Sequence, residues 1–227
     1  MIVARRMTRN VITATPDTTH SQAVKLMREN QIRHLPVVEQ GRLVGIVVEN
    51  DLLSNQPSPA TTLSIYEIYT LLDNLKLRQI MSTPVYAVGE DCPLEEAARI
   101  MTENQFSCLP VVRGEEIVGI ITETDIFRAF VDVLGGHERG LALTVRLEDK
   151  PGALASVAAA VAKAGGNMLN IVTFPEPGGG YAEVYIKEVG ADRALLEKLI
   201  AEEAQADLLD IGPSRKYEPR LFGGKKK

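Results

Sequence analysis

Cysteine is scarce in these 227 residues. There are two, Cys92 and Cys108, and neither belongs to a Cys-x-x-Cys pattern or lies near a histidine pair. That excludes a disulfide framework and a thiolate metal site, and both read as reduced thiols. Histidine is as scarce, and His20, His34 and His137 do not cluster along the chain. Also missing are a Gly-x-Ser-x-Gly elbow, a His-Glu-x-x-His helix and a phosphate loop ending in Lys-Ser/Thr. No catalytic residue and no metal ligand are therefore expected, and the chain reads as non-enzymatic. No apolar run approaches the roughly 20 residues of a membrane helix. Met1 to Arg6 is not followed by the apolar core of a signal peptide, so no membrane contact and a cytoplasmic location are expected. An excess of basic charge is lacking too. The net charge of −5 opposes non-specific binding to nucleic acid, and Lys225-Lys226-Lys227, in a tail over 214–227, is too short to reverse it.

What the chain does have is an ordinary apolar content of 45%, room for two domains, and an internal repeat. A shift of 74 positions, from Met7 to Met81, lays Met7–Asp51 over Met81–Asp125 without a gap. It matches Asp17 with Asp91, Met27 with Met101, Leu35-Pro36-Val37-Val38 with Leu109-Pro110-Val111-Val112, and Val44-Gly45-Ile46 with Val118-Gly119-Ile120. Such regularity means two copies of one unit, neither able to bury its apolar face alone. Each copy reads as strand, helix, strand, strand, helix. In the first, Val11-Ile12-Thr13 is a strand and Thr18 caps a helix to about Asn30. A hairpin then turns at Gln40-Gly41, and a helix follows Asp51. In the second copy Pro93 stands as a first helical residue, and the last helix runs from about Asp125 to Leu134. The repeats span about 7–53 and 81–134 within a module over 1–134. Between them Ser54 to Ala60 reads as a loop. Leu63, Tyr66, Leu71, Leu72 and Leu75 mark a helix over about 62–77, whose apolar face is expected to pack on the core, a dimer seam being the alternative.

The stretch Gly119-Ile120-Ile121-Thr122-Glu123-Thr124-Asp125 organises the module. Ile117 to Ile121 reads as a strand covered on both faces, and a glycine within it marks close approach of another backbone or a ligand. Thr122 places a hydroxyl where the next helix begins, beside unpaired N–H groups that favour a phosphate. Asp125, on the first turn, is placed to accept the two hydroxyls of a ribose. The plainer alternative is that a threonine caps the helix and Asp125 sits favourably at its positive end.

After Gly135 to Gly140, read as a linker, a different region begins. Leu141 to Leu147 alternates as a strand, Pro151-Gly152 opens an alanine-rich helix ending at Gly165-Gly166, and Met168–Phe174 and Tyr181–Lys187 are strands. A helix from about Asp192 to Gln205 and a strand around Leu208–Ile211 complete the region over 141–213. The order βαββαβ is the ferredoxin-like arrangement.

The repeats, with their Leu-Pro-Val-Val and Gly-Ile-Ile-Thr-x-x-Asp elements, resemble a tandem pair of cystathionine-β-synthase-type (CBS) domains. The resemblance implies a compact module that often dimerises and binds adenine nucleotides in clefts between repeats. The family's phosphate-contacting hydroxyl and ribose-binding carboxylate fall on Thr122 and Asp125, with Ile121 beside them. Arg33 and His34 stand just before Leu35-Pro36, where family members often carry a basic residue that reaches a phosphate. Arg33 is therefore expected in the Asp125 cleft with backbone near Thr8 and Val11; the alternative is a solvated edge charge. In the first repeat Asp51 is present but Val48 replaces the hydroxyl, so that cleft is expected to be weak. Residues 141–211 resemble an ACT domain through Val145 to Gly152 and Gly166 to Ile171. That likeness places a possible amino-acid effector at Asp149, Gly152 and Asn167. Capping by Asp149 and a turn role for Asn167 are the alternatives.

The order CBS, CBS, ACT is similar to that of the acetoin-utilisation regulatory family, AcuB. Overall the fold class expected is α+β / α/β, a CBS pair followed by a ferredoxin-like ACT domain. The function expected is a non-catalytic sensor that binds an adenine nucleotide as its regulatory ligand, with no other cofactor. It would act as a homodimer on an unidentified protein partner. An interaction scaffold with vestigial clefts, or an amino-acid sensor working through the ACT domain, are the alternatives.

Overall fold

The computed structural model describes residues 1–57, 62–136 and 138–214. Parts of three sequence features lie outside the described residues: 58–60 of the loop (with residue 61 after it), His137 of the linker and 215–227 of the tail. The chain divides into two compact units, Met1–Arg128 and Ala129–Lys227.

The first unit is built from the repeat. In the first copy helix α1 (His20–Asn30) leads to the hairpin β1 (His34–Glu39) and β2 (Arg42–Val48), then α2 (Glu49–Ser54). Helix α3 (Ile65–Asn74) connects to the second copy. That copy has a two-residue β3 (Val88–Gly89), α4 (Leu94–Asn104), the hairpin β4 (Cys108–Arg113) and β5 (Glu116–Thr122), and α5 (Glu123–Val133). The strands form one sheet in the order β1-β2-β5-β4-β3, joined at its centre by the single pair Arg42 and Glu116. Leu35, Val37, Val47, Leu52 and Leu77 are buried together in the first copy. Leu109, Val111, Ile121 and Val3 are buried in the second. Full burial of each such side chain contributes about 1.5–3 kcal/mol.

The segments that open the two copies are exchanged. Val3 donates its N–H to Cys92 of the second copy, while Leu77, 74 positions on, donates to Thr18 of the first. Thr8 exchanges two 2.9 Å backbone bonds with Ile120, and Ser82 pairs in the same way with Ile46. This exchange explains the two strand glycines. A Cβ on Gly119 would lie 2.5 Å from the Met7 sulfur, and one on Gly45 would lie 2.4 Å from the Met81 sulfur. The close neighbour expected at Gly119 is therefore a methionine side chain from the other copy, neither backbone nor ligand.

Several local expectations need correcting. Val11 to Thr13 form no strand, since only Ala14 makes an isolated bridge, to Val37. The cap of α1 is Thr19, in a reciprocal box with Gln22, because Thr18 turns its hydroxyl to the Thr15 N–H. Pro93 is the N-cap of α4 and Leu94 its first residue. Helix α2 starts at Glu49, ahead of Asp51. Helix α3 does not bury its apolar face: none of its residues is buried, and Ile65, Tyr66 and Tyr69 are 62% exposed or more.

The second unit has the order β6 (Leu141–Glu148), α6 (Ala153–Lys163), β7 (Asn167–Pro175), β8 (Tyr181–Val189), α7 (Arg193–Glu202) and β9 (Asp207–Pro213). The sheet is antiparallel throughout, ordered β7-β8-β6-β9, which is the ferredoxin-like arrangement. One core packs Leu143, Val145, Val184 and Ile186 of the sheet against Val157, Val161, Leu196 and Ile200 of the helices. Asp192 caps α7 through the Leu195 N–H. Gly152 opens α6 at φ 89°, a conformation that favours glycine. Among the described residues no helix is long and apolar enough to cross a membrane, and no group of histidine, cysteine and acidic residues is placed to hold a metal ion.

Candidate functional site

A cavity of about 440 Å³ opens where β5 passes into α5. Each wall follows from the fold. The end of β5 supplies Ile120 and Thr122, the first turns of α5 supply Asp125 and Arg128, and the exchanged opening segment supplies Thr8. The turn from α1 into β1 supplies Arg33 and His34. The structure thus brings together Thr8, Arg33, His34, Thr122 and Asp125 from the expected set. Ile121 is not among the lining residues, because alternation along β5 turns its side chain into the core, where it is fully buried. Its neighbour Ile120 forms the wall instead. Val11 does not line the cavity either, since the chain leaves β5 after the Thr8 bridge.

One Asp125 oxygen accepts the Thr122 N–H at 3.0 Å and the Thr122 hydroxyl at 2.7 Å. The other lies 3.7 Å from an Arg128 nitrogen. Asp125 thus caps its own helix, and a sugar hydroxyl would share or replace those partners. The His34 Nε2 lies 2.7 Å from the Ser107 hydroxyl, tying the first hairpin to the second. Burial, and then the nearby Arg33 charge, hold the His34 imidazole below its ordinary pKa, against the pull of Glu123 and Glu49. Arg128 and Ser107 were missed from the sequence. Arg128 was legible one turn after Asp125, and Ser107 as the repeat partner of Arg33.

The repeat places a second cavity of about 220 Å³ at Asp51. Asp51 accepts the Val48 N–H at 2.9 Å, as Asp125 does for Thr122, but no hydroxyl joins the pair. Its walls are Pro84, Val85, Tyr86 and Phe106, and the two aromatic rings lie 5.2 Å apart. Cys108 also lines it, and burial pushes its thiol up to about 12.

Comparison with known proteins agrees with this architecture. The profile of the CBS domain family matches residues 3–58 and 77–132. The CBS domain-containing protein YhcV of Bacillus subtilis is 30% identical over 138 residues, 61% of this chain and 89% of that protein. The chain belongs to the CBS-domain family. The profile of the ACT domain matches residues 142–205, so the CBS pair is followed by an ACT domain. An uncharacterized protein of Methanocaldococcus jannaschii is 36% identical over 138 residues, 59% of this chain and 33% of that protein. The chain spans between a third and a half of the length of three such archaeal relatives. A solved structure assigned to acetoin utilization (AcuB) from Vibrio cholerae is 33% identical, with a TM-score of 0.51, over 60% of this chain and 95% of that one.

In the ACT domain the three expected effector residues are not gathered within one chain. Gly152 lines a cavity of about 510 Å³ with Arg146, Lys150 and Tyr181, but Asp149 and Asn167 do not line it. Asp149 does not cap α6 either, since no side chain caps that helix. Arg146 instead stacks 3.9 Å over the Tyr181 ring and pairs with Glu176.

Proposed function

We propose that this protein is a non-catalytic sensor that binds an adenine nucleotide in the Asp125 cleft and passes the binding event to its ACT domain. The observation that carries this reading is the convergence of Thr122, Asp125, Arg33 and Arg128 on one cavity at the start of α5. A carboxylate suits a ribose, while helix N–H groups and two guanidinium groups suit phosphate. The CBS resemblance supports the same ligand class. The ligand contributes to regulation through the difference in its affinity for two arrangements of the protein, commonly about 1–3 kcal/mol. Helix α5 supports this route, because it carries Asp125 in its first turn and the chain runs on from it into the ACT domain. The exposed apolar face of α3 supports a homodimer. The likeness to a protein assigned to acetoin utilization supports a place in acetoin or related carbon metabolism; in this reading the protein acts in the cytoplasm on a protein partner.

Calorimetry with adenosine mono-, di- and triphosphate and S-adenosylmethionine tests the reading. One saturable site per chain, weakened by Asp125→Ala, is the expected outcome. No binding of any of the four leaves the clefts vestigial and the chain a scaffold.

A further inference from the structure

The open face of the ACT sheet holds a buried charge that none of the candidate ligand residues uses. Leu143, Val184 and Ile186 belong to the core under the helices, so their alternate neighbours project from the other face. Register sets those neighbours in rows across the strands. One row runs Asn170, Lys187, Ala142, Gly212, and the next runs Val172, Tyr185, Thr144, Asp210. Ala142 and Gly212 bring almost no side chain to the first row. What results is a trough of about 560 Å³ walled by Lys187, Tyr185, Asp210, Leu134 and Pro213.

Lys187 is only 4% exposed. Its ammonium donates to the Gly135 carbonyl at 2.6 Å, and among the described residues it has no other hydrogen bond and no ion pair. An ammonium carries three protons, and burying its charge without a counter-charge is unfavourable. The carbonyl accepts one of them, which leaves donors for an anion in the trough. The opposite wall limits what that anion is. Asp210 repels a second negative charge, and Leu134, Ala142 and Pro213 suit a short carbon chain.

We propose that this trough binds a small monocarboxylate, with its carboxylate on Lys187 Nζ and its carbon chain along Ala142 and Pro213. The site lies apart from the Gly152 loop and shares no residue with either CBS cleft. Calorimetry on the full chain with sodium propionate, sodium succinate and inorganic phosphate tests it. Propionate is expected to bind saturably, and succinate and phosphate at least roughly tenfold more weakly. Lys187→Met is expected to weaken propionate by roughly ten- to a hundred-fold, the range of a lost charge-assisted bond. Gly212→Val fills the trough without touching Lys187. A Cβ there meets nothing within 4 Å, so the fold should stand, as circular dichroism would check. If Lys187→Met fails to fold, Gly212→Val and the ligand ranking decide. No saturable propionate binding, equal binding of phosphate, or undiminished binding by Gly212→Val each overturns the proposal.

Discussion

The two clefts of the CBS pair grow from one repeated sequence and yet present different chemistry. At Asp125 the carboxylate is joined by the Thr122 hydroxyl and faced by Arg33 and Arg128, so the cavity is polar and placed to take charge. At Asp51 the hydroxyl is replaced by Val48, Ser107 and Cys108 stand where the other side has Arg33 and His34, and Tyr86 and Phe106 close the wall. The scaffold is symmetric, down to the reciprocal seating of Met7 on Gly119 and Met81 on Gly45. The lesson is that duplication fixes where a cleft forms, while a few side chains at its rim fix what it holds.

That contrast is most sharply broken at the carboxylates. Asp125→Ala should weaken nucleotide binding by roughly ten- to a hundred-fold, about 1.5–3 kcal/mol, while Asp51→Ala leaves the tight site unchanged in the same titration. Equal losses from the two would erase the distinction. The symmetry of the scaffold is tested by Gly45→Ala and Gly119→Ala. Each drives a Cβ into a methionine sulfur and should cost about 1–3 kcal/mol in denaturant unfolding. Met7→Ala should relieve Gly119→Ala and leave Gly45→Ala as it is.

Exchanging the residue at the strand end is a gentler change. Thr122→Val removes a hydroxyl bonded at 2.7 Å and should weaken nucleotide binding by about fivefold, near 1 kcal/mol. Val48→Thr should strengthen whatever affinity the Asp51 cleft has. The smallest effect is expected from His34, which has no histidine counterpart in the second copy. Its pKa is lowered in the folded state from an ordinary 6.5, so the unfolded chain binds the proton more readily. The stability this provides is complete above about pH 6.5 and is lost as pH falls towards the lowered folded value. His34→Asn should flatten that part of the stability profile in unfolding experiments run from pH 7.5 downward. A variant as acid-sensitive as the parent would place the titration elsewhere.

Much of this protein was legible without coordinates. The gapless repeat from Met7 to Asp125 carried the hairpins and the pairing of Asp51 with Asp125. The alternation over Leu141 to Leu147, with Pro151-Gly152 after it, carried the second domain. These are local signals, set by period and by turn residues, and the chain expresses them wherever it lies. The limits of local reasoning appear at the ends of elements. Thr18 and Thr19 are both good caps, and the choice went to Thr19 because Gln22 stands three residues on and closes the box with it.

Only the tertiary structure decided the exchange of the opening segments. Nothing in the residues around Val3 says that they complete the second copy while Leu77 completes the first, because a swap changes which copy supplies a contact and leaves the contact's chemistry the same. That exchange seats a methionine on each strand glycine, and it is the physical reason that Thr8, expected at the Asp125 cleft from the resemblance alone, reaches it. The face of each strand residue was likewise settled by packing: Ile120 meets the cavity and Ile121 the core, although a run of apolar residues looks alike on both sides. Lys187 is the extreme case. A lone lysine between Ile186 and Glu188 reads as a solvated strand residue, yet it is buried, with the Gly135 turn over it and the Gly135 carbonyl on its ammonium.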